Sequence, residues 1–347
     1  MKKKRINLFL GAIVILVFLT TGQVIWAQNI VKVDLDGSKS IKELLGESIN
    51  EVDSLVISGK MTDEDFVTVR MASIYGKLTG IDISNAELKD DTLPKEAFWG
   101  YNKRINTVQI HTHFKYISLP DNLVALDFGS LGCNFELKYV NIPATVKDFG
   151  HSVFTDCYEV FKGQCVEIPA GVTIIPAYCF ESCRGIVDIK FPDGLRRIED
   201  HAFTNCNFND LILPENLEYI GYDAFVCVEY IPNDDDIRSN AIKGDIYCKA
   251  VVPPVCDDFE NRGHWPFVED ADKTVYVPVG SAEAYREAPG WNQFTKFVEI
   301  EEFPTTGLTE VAMPDADSAV YDLQGNKVTA PVKGQIYISD GKKFVVR

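Results

Sequence analysis

His111 and His113 stand two residues apart, the spacing that sets two imidazoles on one face of a strand. Two imidazoles are part of a transition-metal site, but such a site needs a third ligand. None stands at a fixed spacing from this pair, so it reads as a surface pair, and no metal or other cofactor is expected. Asn233-Asp234-Asp235-Asp236 offers carboxylate oxygens but lacks the ligand spacing and glycine of a calcium-binding loop. It reads as a solvated acidic loop. His151 and His201 fall at turn positions, and His264 sits beside Trp265 in a loop. The chain carries no glycine-rich phosphate loop, nucleophile elbow, paired-histidine zinc helix or dinucleotide glycine motif. Carboxylates are plentiful, yet nothing singles out an acid–base pair. No residue is assigned a catalytic role, and the chain reads as non-enzymatic.

The 347 residues carry 34 Lys and Arg against 51 Asp and Glu, a net charge of −17. Residues 1–27 read as a leader. Lys2, Lys3, Lys4 and Arg5 precede the apolar run Leu8 to Leu19, and a more polar exit ends at Ala27. An uncleaved anchor is the alternative, although the run is short of the roughly 20 residues a spanning helix needs. Removal of the leader would take the net charge to −21. A chain this acidic repels phosphate backbones and anionic lipid, so neither nucleic acid nor a membrane surface is expected as a partner. No later segment is long and apolar enough to span a membrane.

Five prolines, Pro120, Pro143, Pro169, Pro192 and Pro214, recur at spacings of 23, 26, 23 and 22. One residue before them stand Leu119, Ile142, Ile168, Phe191 and Leu213; three before stand Ile117, Val140, Val166, Ile189 and Leu211. Three after stand Leu123, Val146, Val172, Leu195 and Leu217; six after stand Leu126, Phe149, Ile175, Ile198 and Ile220. Eleven after stand Leu131, Phe154, Phe180, Phe203 and Phe225. Fourteen after stand Cys157, Cys183 and Cys206, with Cys133 and Cys227 offset by one in the flanking copies. Alternation at −3 and −1 is the period of a strand with one buried face, and proline ends it because it has no N–H for the ladder. The chain must then turn and bring a phenylalanine back to the interior. No such coil buries its apolar face alone, so neighbours stack into one core.

Segments such as Ile168-Pro169 … Val172 … Ile175 … Phe180 … Cys183 and Phe191-Pro192 … Leu195 … Ile198 … Ala202-Phe203 … Cys206 resemble the BspA-like leucine-rich repeat. The resemblance covers about residues 81–230, and Leu93-Pro94 … Ala97-Phe98 is similar to the tail of an earlier, less regular copy. It implies an α/β repeat fold, a right-handed leucine-rich-repeat solenoid. It also implies a surface-associated adhesion role, without naming the ligand.

An open stack exposes an apolar face at each end, so mixed α/β caps are expected. Residues 28–90 are assigned to an N-terminal cap and first irregular repeat. Ser40-Ile41-Lys42-Glu43 is a capping box before a short helix, Leu55-Val56-Ile57 a strand, Thr62 the start of a second helix, and Leu78 to Leu88 a strand again. Residues 91–232 hold the repeats. Residues 233–302 form a C-terminal cap: strands at 246–250 and 274–278, a helix N-capped by Ser281 and running through Ala288, then Trp291, Phe294 and Phe297 as an apolar wedge. Residues 303–318 read as a linker and 319–347 as a small β-module. That module resembles the C-terminal sorting modules of exported Bacteroidetes proteins, departing from them at Gln335; a plain β-module with no sorting role is the alternative.

Nine cysteines in an exported chain invite disulfides, and the odd count leaves at least one unpaired. Those sharing a column have parallel side chains, whereas a disulfide needs Cβ atoms to converge to about 3.8 Å. Reduced, buried thiols are expected there, with Cys248 and Cys256 the best remaining pair. The outward positions carry the binding expectation. At −4 they are Tyr116, Tyr139, Cys165, Asp188 and Asp210; at −2 they are Ser118, Asn141, Glu167, Lys190 and Ile212. Apart from Cys165 and Ile212, these are the candidate ligand-binding residues. The partner expected is an extracellular protein or glycan, met at the cell surface, the outer membrane or outside the cell. Alternatives are an accessory or catalytic component of extracellular glycan processing, and a structural envelope spacer.

Overall fold

The computed structural model describes residues 29–100, 103–105, 108–229, 237–258, 260 and 263–304. It also describes the backbones of two short antiparallel strand pairs, Val17–Phe18 with Val24–Ile25 and Ile336–Ser339 with Lys342–Val345. The rest of the leader, the 233–236 acidic run and the expected hairpin arm at 320–328 lie outside the described residues. Residues 28–303 form one compact unit.

Within that unit the expected coils stack, their strands pairing in parallel ladders with few helices between them. A front sheet is built from the strands before each proline. Ile30–Leu35, Ser54–Lys60, Gly80–Glu87, Tyr116–Ser118 and Tyr139–Val140 pair in parallel. Cys165–Glu167 pairs with Asp188–Lys190, and Leu211–Leu213, Ile246–Cys248, Thr274–Pro278 and Lys296–Ile300 follow. A rear sheet collects the +6 column: Leu93, Leu126 and Phe149 in one ladder, Ile175, Ile198, Ile220 and Cys256 in another. Both sheets break at the 26-residue coil, where the chain has three residues more to place than in its neighbours, and the front strands break again between Asp188–Lys190 and Leu211–Leu213.

The third side is continuous across that break. Residues at +9, +11 and +13 donate their N–H groups to the next coil: Ser152 to Ala177, Phe154 to Cys179, Asp156 to Glu181, then Tyr178 to Asp200, Phe180 to Ala202, Ser182 to Thr204. They aim the same way because +9 and +13 are left-handed, with φ between 53° and 61° at Gly129, Ser152, Tyr178, His201 and Asp223 and at Cys133, Asp156, Ser182 and Asn205. Only Gly129 adopts that conformation without steric cost. At the other positions, inter-coil hydrogen bonds offset the penalty.

The phenylalanine column is one interior row. Phe154, Phe180, Phe203 and Phe225 are fully buried and stack at 5.1, 5.3 and 5.5 Å between centroids, with planes within 13°. Phe267 extends the row at 5.5 Å. The cysteine column is a ladder of free thiols, as expected. Cys157 Sγ–H donates to the Leu131 carbonyl (3.3 Å), Cys183 to Phe154 (3.1 Å) and Cys206 to Phe180 (3.2 Å). Burial pushes all three thiols up.

At the N-terminal end, helices Ile41–Leu45 and Asp63–Tyr75 form where the capping signals stand. Buried Asp65 serves both: it accepts from the N–H of Ile41 (2.7 Å) and of Thr62 (2.9 Å). Phe66 of the second helix meets Phe98 edge to face at 5.4 Å. At the other end Trp291 and Phe294 pack on Phe267, at 5.2 and 5.7 Å, while Phe297 is only half-buried.

Three expectations are corrected. Cys248 and Cys256 are not bonded: both are free, and Cys248 Sγ instead lies 3.1 Å from the Tyr285 hydroxyl. Ser281 precedes helix Ala282–Glu287 but makes no side-chain cap, and its buried hydroxyl has no partner; the Glu299 carboxylate accepts the Ala282 N–H instead (3.0 Å). Ile212, at an outward position expected to be open, is covered, because Tyr247 of the next paired strand stands beside it.

Candidate functional site

The front strands and the residues flanking them carry the expected binding residues, some of them in register. Tyr139 pairs with Tyr116 across adjacent strands, and both are half-buried. Burial holds both phenols above their usual range, with Asp121 adding to the effect at Tyr139, so both stay neutral donors. Ser118 stands beside Asp82 of the neighbouring strand. Glu167 and Lys190 face each other and form an exposed ion pair at 2.7 Å. Such a pair contributes little to stability, but its two charges already satisfy each other.

The other polar residues are partly engaged with the scaffold. Asn141 turns its amide onto the previous coil, accepting from the Leu119 N–H (2.7 Å) and donating to the Leu119 carbonyl (3.1 Å). Asp188 accepts from the Asn209 amide at 3.3 Å, and Asp210 accepts from the Asp245 N–H at 2.9 Å. Register thus makes neighbours of Tyr116 and Tyr139 and of Glu167 and Lys190, while Asn141, Asp188 and Asp210 bind coil to coil.

The sequence does not single out Tyr247, Tyr276 and Val298, which continue from Ile212 as register partners across four parallel strands. Tyr247 and Tyr276 stack at 4.5 Å with planes 6° apart, beside exposed Val298. They continue the −2 column. Val275-Tyr276-Val277-Pro278 repeats the −3 to proline pattern in full, a signal passed over when 233–302 was read as a separate cap. Tyr247 was harder to see, because Lys249 stands where proline would be.

On the third side, Tyr178 stacks on His201 at 4.8 Å, and Tyr222 meets His201 edge-on at the same distance. His201 is pushed down to about 4 by burial, with the positive charges of Arg238 and His264 adding to the effect. It is therefore neutral near pH 7, with Nδ1 3.2 Å from the Thr204 hydroxyl.

His111 and His113 do share a neighbourhood, and the structure supplies the third group that spacing could not name. A nitrogen from each and an oxygen of Glu136 all lie within 4.8 Å. Among the described residues no helix is long and apolar enough to cross a membrane.

Residues 91–161 and 158–234 match the model of the BspA type leucine-rich repeat region, in six copies, and this part of the chain consists of such repeats. The sequence has no match among curated proteins. Among solved structures it is similar to a leucine-rich cell surface protein of Faecalibacterium prausnitzii (19% identity, TM-score 0.29, covering 54% of this chain and 62% of that one). It is also similar to a leucine-rich repeat protein of Bacteroides ovatus (14%, 0.39, 72% and 61%) and to the pneumococcal vaccine antigen PcpA (11%, 0.28, 81% and 82%). The chain thus spans about three-fifths of the length of the first two.

Proposed function

We propose that this chain is an exported, non-enzymatic binding module that holds an extracellular protein or glycan against the outer face of its front sheet. In this reading residues 1–27 direct export, the repeats wind right-handedly, and the segments 28–90 and 233–302 close the two apolar ends of the stack. The observation that carries the binding role is the pairing of tyrosines in register on adjacent front strands, Tyr116 with Tyr139 and the stacked Tyr247 with Tyr276. Tyrosine offers a large apolar ring and a polar tip at low entropic cost, which suits both protein and sugar surfaces. The strong net negative charge disfavours nucleic acid. The BspA-type repeat itself supports a surface role.

The test is binding of the purified chain to glycan arrays and to a panel of extracellular-matrix proteins. Replacing Tyr247 and Tyr276 together with Ala, or Tyr116 and Tyr139 together, is expected to weaken the best ligand at least about tenfold, the loss of about 1.4 kcal/mol, with little change in melting temperature. Unchanged binding by both double variants would remove the sheet face from consideration.

A further inference from the structure

We propose that His111, His113 and Glu136 form a binding site for a borderline divalent transition cation of the zinc type. Their ligand atoms lie within 4.8 Å of one another, the only such three-residue cluster among the described residues. Two imidazoles and one carboxylate suit zinc, with a further position left for water or for a donor from a partner.

The coil register builds the site. His113 stands seven residues before Pro120 and Glu136 seven before Pro143, so they occupy the same column in successive coils. Nδ1 of His113 lies 2.8 Å from Oε1 of Glu136. A cation shared by the two groups would replace that hydrogen bond. His111 stands two residues earlier in the same irregular segment, its ring centroid 4.7 Å from that of His113.

The supporting contacts are those a metal site requires. Nδ1–H of His111 donates to the Thr112 carbonyl at 2.8 Å, which fixes the tautomer whose other nitrogen, Nε2, is the one able to ligate. The edge-to-face contact with Phe135, at 5.5 Å, holds the same ring. Between the histidines, fully buried Thr112 donates to Asn134 Oδ1 (2.6 Å). Asn134, also fully buried, donates to the carbonyls of Phe98 (2.7 Å) and Leu131 (2.6 Å). The two ligand-bearing segments are therefore tied to each other and to the coil beneath. His113 is anchored a third time, its N–H donating to Ser73 Oγ of the second helix (2.9 Å). Among the described residues Lys115 is a competing cation, its ammonium 3.9 Å from Glu136 Oε2 and exposed enough to swing away.

The experiment is titration of the purified full chain with Zn²⁺ by calorimetry, and with Co²⁺ followed by visible absorption. One equivalent is expected to bind, with a Co²⁺ spectrum of nitrogen and oxygen ligation. His111→Ala, His113→Ala and the conservative Glu136→Gln should each weaken binding by at least about tenfold, since even outer-shell changes cost that much. His151→Ala, an exposed histidine elsewhere, should bind as the parent does. Circular dichroism identifies any variant that fails to fold, and Glu136→Gln, which keeps size and shape, then decides. The proposal is overturned if the parent chain binds no Zn²⁺ below millimolar concentration, if Glu136→Gln binds as tightly as the parent, or if the Co²⁺ spectrum shows thiolate charge transfer. None of these results bears on the sheet-face reading, which is tested by its own variants.

Discussion

Replacing Phe180 with Ala removes the middle ring of the interior row. Phe180 is fully buried, stacked on Phe154 at 5.1 Å and Phe203 at 5.3 Å, and met edge-on by Phe149 at 6.0 Å. Truncating a buried phenylalanine costs about 3–5 kcal/mol, and an aromatic pair contributes about 0.5–1.5 kcal/mol beyond its buried area. With two stacked neighbours lost, the upper part of that range, about 4–5 kcal/mol, is expected. Phe128→Ala is the control: Phe128 is 39% exposed, stacked on Trp99 at 6.3 Å with the Lys95 ammonium over its ring at 5.1 Å, so its loss should cost about 1 kcal/mol or less. The assay is urea denaturation followed by circular dichroism and by tryptophan fluorescence. Because each coil touches only its neighbours, weakening a central interface should also uncouple the two ends. Variants retaining Trp99 alone or Trp291 alone among the repeat-unit tryptophans would then unfold at different midpoints. A cost for Phe180→Ala no larger than that of Phe128→Ala would refute the stacked interior.

Thiol labelling gives a second check. Cys165 and Cys227 are half-buried and the other seven cysteines buried, with burial raising the thiols, Cys165 to about 11 and Cys133 to about 12. An aromatic disulfide reagent at pH 8 is expected to modify at most those two slowly in the folded chain and all nine in denaturant; rapid labelling of more than two in the folded chain would contradict the packing. For pH, His201 is held at about 4 against an ordinary 6.5, so the unfolded chain binds the proton more readily. The resulting stability is present above pH 6.5 and is lost as pH falls towards 4. Melting temperature should drop over that window in the parent and less in His201→Asn, a residue that tolerates the left-handed backbone; identical pH profiles would mean that His201 is not the group involved.

Much of the core was legible from residue types and spacing. Columns at −3, −1, +3, +6 and +11 named the inward side chains because a repeating coil must repeat its apolar positions, and Phe154 to Phe225 form the row those columns imply. The left-handed positions at +9 and +13 left no such mark. Gly, Ser, Tyr, His, Asp, Cys and Asn all occupy them, and the hydrogen bonds that make them tolerable run to the next coil, not along the chain. The C-terminal strands were recognised as strands, but their membership of the same face was not. Tyr247 lacks the proline marker, and an irregular stretch separates it from the regular copies.

What the order of amino acids decided alone was which side chains turn inward and how often the chain winds, because burial of apolar surface depends on residue type and period. What the folded stack decided was which polar groups meet. Glu136 lies 23 residues beyond His113, and Tyr276 lies 29 beyond Tyr247, yet each pair is in contact. Those meetings depend on how one winding registers on the next and on the reach of individual side chains, and hydrogen bonds between windings set both.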